Sequence, residues 1–80
     1  MEGKIMLEQL REQAGLGGPA AVLANEMLVM HDEYTSGHLS KEEYDFLLQE
    51  IQDVRAQQDL ANDEIACRLI CQAAQVLMSM

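Results

Sequence analysis

The sequence predicts an all-α fold, and three observations predict it. Apolar residues recur at steps of three and four along most of the 80 residues, the period of one helix face. Beyond Gly3, glycine and proline are confined to Gly15–Pro19 and Gly37, so the stretches between have no strong breaker. Ser40-Lys41-Glu42-Glu43 carries a helix-start signature. Together these place a short N-terminal helix, an antiparallel helical hairpin and a long C-terminal helix in a single small domain. The helices span about residues 4–14, 19–34, 40–57 and 60–78, the last one either continuing its predecessor, as one long helix or a nearly coaxial piece, or folding back.

In the first segment Ile5, Met6, Leu7, Leu10 and Ala14 make the apolar side, with Glu8, Arg11 and Glu12 opposite. Gly15-Leu16-Gly17-Gly18-Pro19 ends it, because glycine admits positive φ and proline cannot continue a helix already begun. Pro19 instead suits the first turn of the next helix, where its missing N–H costs nothing. There Val22, Leu23, Met27, Met30 and Tyr34 form a stripe widened by Ala20, Ala24 and Leu28. Gly37 is a natural left-handed stop.

The next start is the clearest. Ser40 is the N-cap, Glu43 reaches back from three residues on, and Leu39 with Tyr44 has the spacing of a hydrophobic staple. Glu42, Glu43 and Asp45 suit the positive end of the helix dipole. From here Tyr44, Leu47, Leu48, Ile51, Val54, Gln58, Ala61, Ile65 and Leu69 keep a near-heptad step, which favours one continuous helix. The weak point is Asp59–Asp63, where Asn62 could cap a separate last helix. The expected core is Val22, Leu23, Met27, Met30, Leu47, Leu48, Ile51, Val54, Ile65, Leu69 and Val76.

From Ile65 to Met80 the polar residues Arg68, Gln72, Gln75 and Ser79 form one narrow stripe, and the rest is apolar. A helix apolar on most of its circumference must be surrounded. A core in a chain this small rarely supplies more than about 3–5 kcal/mol, so completion by a protein partner or a homo-oligomer is expected. The interface expected from this helix is Ile65, Leu69, Ile70, Ala73, Val76 and Leu77.

Charge is distributed differently. The net charge is −9, and residues 26–64 hold eleven of the fourteen acids with only Lys41 and Arg55 against them. Phosphate binding needs clustered Lys and Arg, so direct nucleic-acid binding is not expected. No stretch approaches the 18 or so apolar residues of a membrane span, nor the apolar run of about 7–15 residues of a signal peptide. The expectation is a cytoplasmic chain, or one within a virion or other assembly, and not a secreted one. Cys67 and Cys71 share a helix face in poor geometry for bridging each other, which fits reduced, buried thiols.

Asp32–Glu43 has the length of an EF-hand calcium loop, with Asp32 first, Gly37 at the turn and Glu43 last. Tyr34 stands where that family supplies a short oxygen ligand, so an αα-turn is the expected role. Gly37-His38-Leu39-Ser40-Lys41-Glu42-Glu43-Tyr44-Asp45-Phe46-Leu47-Leu48 resembles the SHOCT helical-hairpin module: a turn glycine, a small apolar residue, Ser, Glu-Glu-aromatic and a leucine pair. The resemblance covers about a dozen residues and implies an oligomerisation or tethering element.

Other chemistry is thinly represented. His31 and His38 with Cys67 and Cys71 do not follow usual zinc spacings, and no metal or cofactor is expected. Gly15–Pro19 lacks the preceding strand and following Lys-Ser/Thr of a phosphate cradle. No nucleophile, base and orienting group assemble, so no enzyme is expected. The function expected is a non-enzymatic interaction or assembly module using the apolar C-terminal helix. Small acidic helical chains of this type look like accessory components of bacterial or phage assemblies. The alternative is an acidic inhibitor or regulator that covers a basic surface of a partner enzyme, with Glu42, Glu43, Asp45 and Asp53 as its acidic face. Calcium binding is a minor third.

Overall fold

The computed structural model describes residues 2–80, and among them it contains helices and turns but no strand. Helix α1 (Glu2–Leu16) runs two residues past the expected stop. Gly17, at φ 68°, then turns the chain in the left-handed region where a Cβ would be strained. Pro19 lies in the following turn rather than inside the next helix, and the Ala21 N–H donates to the Gly18 carbonyl at 3.0 Å. Helix α2 is Ala21–Thr35.

The exit from α2 is a Schellman motif. The Gly37 N–H donates to Tyr34 O at 3.1 Å and the His38 N–H to Glu33 O at 2.8 Å, with Gly37 at φ 85°. Two carbonyls left over at the helix end thereby find donors. Three residues later the expected capping box is formed. Ser40 Oγ accepts from the Glu43 N–H at 3.1 Å, and Glu43 Oε1 accepts from the Ser40 N–H at 3.0 Å.

Helix α3 begins as Lys41–Glu50, passes through a π-helical segment, Ile51–Arg55, and closes with Ala56–Asp59. Within the π segment the Ala56 N–H donates to Ile51 O, five residues back. The extra residue shifts the helix face. Buried positions along α3 are Tyr44, Leu48, Ile51, Ala56 and Leu60, at steps of four, three, five and four. The five-residue step is the π turn. It overturns the regular seam drawn through Val54, Gln58 and Ala61, all of which are exposed.

The chain then breaks where a continuous helix was favoured. Leu60 leaves helical geometry at φ −118°, ψ 25°, and Asp63, rather than Asn62, caps helix α4 (Glu64–Met78) by accepting from the Ala66 N–H at 3.0 Å. Helix α4 returns along α3: Cys67 lies by Ala56, Cys71 by Gln52 and the Met78 carbonyl by Lys41. The reason is burial. Leu60 is almost wholly inaccessible, and turning back covers one whole side of α4, which a straight helix would leave in water.

The core joins all four helices: Leu10 of α1, Leu23, Ala24 and Met27 of α2, Tyr44, Leu48 and Ile51 of α3, and Ile70, Ala73, Ala74 and Leu77 of α4. Of the expected core, Leu23, Met27, Leu48 and Ile51 are buried, whereas Met30, Leu47, Leu69 and Val76 are only half-buried. Val22, Val54 and Ile65 are exposed. Val22 precedes the buried stripe Leu23–Ala24–Met27 by one residue and so points about 100° away from Leu23. Val54 is displaced by the π turn. Ile65 sits in the first turn of α4, off the face set by Ala66, Ile70 and Ala73.

Candidate functional site

The six α4 residues expected at an interface divide between two faces. Ile70, Ala73 and Leu77 are fully buried within the monomer, so they are not surface residues. A helix this apolar has enough chain around it after all, because α1, α2 and α3 all pack on one side of it. Ile65, Leu69 and Val76 lie on another side. Ile65 is 84% exposed, Leu69 and Val76 are half-buried, and their spacing of four and seven keeps them on one line. Gln72 completes that line. Ile65, Arg68, Leu69 and Gln72 border a shallow depression together with Gln9 of α1.

A second outward face lies on α3. Phe46 is 66% exposed, two residues from each of the buried Tyr44 and Leu48 and so on the opposite side of the helix. Leu39, Glu42, Glu43 and Leu47 line a shallow groove on one side of Phe46. Gln49, Glu50, Asp53 and Val54 line another. Of the expected acidic face, Glu42, Glu43 and Asp53 belong here and are exposed. Asp45 does not, because it is paired with Lys41 at 2.7 Å. Glu50 was missed, although its place one helical turn beyond Phe46 was a usable signal.

The cations nearest this face are engaged elsewhere. Lys41 Nζ also donates to Met78 O at 2.9 Å, satisfying a carbonyl in the last turn of α4. It stands 5.7 Å from the Tyr44 ring centre and 6.0 Å from that of Tyr34, within cation–π range. Arg55 forks onto Glu26, with Nη1–Oε2 at 3.0 Å and Nη2–Oε1 at 3.2 Å, and reaches Asp59 at 3.5 Å. The hydrogen bond and charge of Glu26 hold the guanidinium above its ordinary pKa.

Beneath Lys41 lies an aromatic cluster absent from the expected core. Tyr34 and Tyr44 stack at 4.4 Å, and His31 Nδ1 lies 3.0 Å from the Tyr44 hydroxyl. Burial, with a smaller contribution from Tyr34, pushes the Tyr44 phenol up to about 12. This cluster ties α2 to α3 and occupies the residues offered as a calcium loop: Glu43 caps a helix and Tyr34 packs face to face with Tyr44.

Cys67 and Cys71 are unbridged and half-buried. Their thiols donate to Ala56 O at 3.6 Å and Gln52 O at 3.7 Å, carbonyls in and just after the π turn. Burial, then the neighbouring Cys67, raises the Cys71 pKa, which favours the unreactive thiol over the thiolate. Among the described residues no three His, Cys, Asp or Glu side chains converge on a common point, and no helix is long and apolar enough to cross a membrane.

Comparison with known proteins adds no relative. No family model, no curated protein and no solved structure matches the chain.

Proposed function

We propose that the chain is a non-enzymatic protein–protein interaction module that self-associates through the outward stripe of α4. The observation that carries this reading is the apolar line Ile65–Leu69–Val76, with Ile65 exposed and Leu69 and Val76 half-buried, beside the face of α4 that is already packed. Residues 65–80 contain Arg68 and no acid, so two copies can bring these stripes together without the carboxylate repulsion that the acidic middle of the chain would impose. On this reading α2 and α3 form an antiparallel hairpin that holds α4 in place. The likeness of Gly37–Leu48 to a SHOCT module points in the same direction, towards oligomerisation rather than catalysis.

Light scattering on the chromatographed protein tests it. The wild type should show a mass above the monomer at micromolar concentration, and Ile65→Asp and Leu69→Asp should return it to the monomer with an unchanged helical circular dichroism spectrum. A wild type that stays a folded monomer overturns the reading.

A further inference from the structure

We propose that the outward face of α3 is a second docking surface, and that its occupant is a basic amphipathic helix of a different protein. The inference rests on the reading of the chain as an interaction module, but not on the α4 stripe. Phe46 is the only phenylalanine in the chain, and it stands outward with an apolar-floored groove on either side, one from Leu39 and Leu47, the other from Val54. From Leu39 to Val54 this surface runs about 20 Å at helical rise, the length over which a helix lays an apolar stripe into a groove. Aromatic side chains at the centre of such a surface carry a large share of binding energy.

Charge fixes the occupant. Glu42, Glu43, Glu50 and Asp53 rim the ridge, and none of them forms a salt bridge among the described residues. Glu43 accepts only from the Ser40 N–H and Asp53 only from the Gln49 amide. The face therefore presents four carboxylates whose nearby cations, Lys41 and Arg55, are committed to Asp45, the Met78 carbonyl, Glu26 and Asp59. A second copy would set four carboxylates against four, and phosphates or an anionic membrane would meet the same repulsion. A helix with a leucine stripe flanked by Lys and Arg satisfies both the apolar ridge and its rim.

The test titrates the full chain into a fluorescently labelled amphipathic peptide of Leu and Lys, read by anisotropy. A neutral version with Gln for Lys and a scrambled version without a leucine face serve as comparators. The amphipathic basic peptide should bind more tightly than either. Phe46→Ala should weaken it about tenfold or more, the triple variant Glu42→Gln, Glu50→Gln, Asp53→Asn should weaken it and flatten its salt dependence, and Ile65→Ser should leave it unchanged. Absence of binding, equal binding of the scrambled peptide, or indifference to Phe46→Ala overturns the proposal. Because Ile65→Ser acts on self-association and Phe46→Ala on the peptide, either surface can fail while the other stands.

Discussion

Two of the molecule's three helix junctions are built on different principles. Between α2 and α3 the chain turns on local chemistry: Gly37 at positive φ, a Schellman pair of hydrogen bonds and the reciprocal Ser40–Glu43 cap. Between α3 and α4 it turns at Leu60–Asp63 with no glycine or proline. The local devices there are the Asp63 cap and a turn hydrogen bond from the Asp63 N–H to the Leu60 carbonyl at 3.0 Å. What holds the bend is also long-range: Leu60 and Ile70 are buried together with the rest of the core, and two thiols of α4 meet carbonyls in and just after the π segment. The first junction is specified by which residues occupy it, the second by what the helices on either side must bury.

The largest effect that separates the two belongs to the packed junction. Leu60→Ala removes a buried side chain and should cost about 2–5 kcal/mol in urea-induced unfolding. Val54→Ala, a truncation six residues away on the exposed side, should cost about 0.5 kcal/mol or less. Equal effects at the two positions would mean that the corner is not held by packing.

Alkaline pH probes the place where the local junction meets the core. Tyr44 lies in the first turn after the capping box and is buried. Its folded pKa, about 12, exceeds the ordinary 10.0, so the folded state holds the proton that the unfolded state releases. The stability this contributes is intact below about pH 10 and is lost as pH rises from there towards about 12. Tyr44→Phe removes that portion of the pH dependence and also the His31 hydrogen bond, which should lower stability at neutral pH by about 1 kcal/mol. Identical alkaline profiles for the two proteins would contradict a neutral buried phenol.

Effects below that of Leu60→Ala test the local junction itself. Gly37→Ala forces a Cβ into the left-handed region and should cost about 1–2 kcal/mol, and Ser40→Ala should cost about 1 kcal/mol. Asp63→Ala removes the equivalent cap of α4 at a similar cost of about 1 kcal/mol, although it should not open the corner, because Leu60 remains buried. Backbone and side-chain hydrogen bonds from Ser40 hold Glu43 below its ordinary carboxylate pKa. A depressed carboxylate stabilises above its unfolded pKa and loses that contribution as pH falls through the folded value. Wild type and Glu43→Gln should therefore converge in stability as pH drops below 4.5.

Legibility in the sequence follows the same division. The Gly37 stop and the Ser40 box were readable because each is a short-range pattern with a single backbone solution. Leu23, Met27, Leu48 and Ile51 were readable as core because regular helical spacing persists around them. The π turn was not readable: nothing within Ile51–Arg55 distinguishes it from an α-helical run, and the carbonyls of Gln52 within it and Ala56 just after it find partners nineteen and eleven residues away in Cys71 and Cys67. Once it is inserted, every later position on α3 is rotated, which is why Val54 faces water and Ala56 does not. On α4 the difficulty was the absence of contrast. A helix apolar nearly all round gives no direction, so Ile70, Ala73 and Leu77 were grouped with Ile65, Leu69 and Val76 as one surface. Ala24, Ala73 and Ala74 mark close helix contact, yet small residues carry little weight in a hydrophobic pattern.

The smallest expected effect on stability sharpens that last point most. Ile65 follows the packed corner directly and is more exposed than any other large apolar residue described. Ile65→Ser should change the folding free energy of the monomer by less than about 0.5 kcal/mol, since its side chain gives up almost no water on folding. If the outward stripe of α4 is an interface, the same substitution should nevertheless lower the mass seen by light scattering at a concentration where wild type associates. Stability unchanged and association lost would separate the two faces of α4 by experiment. A substantial loss of monomer stability would instead place Ile65 with Leu60 and Ile70 in the packing that closes the corner, and would remove the reason for treating the stripe as a surface left for another molecule.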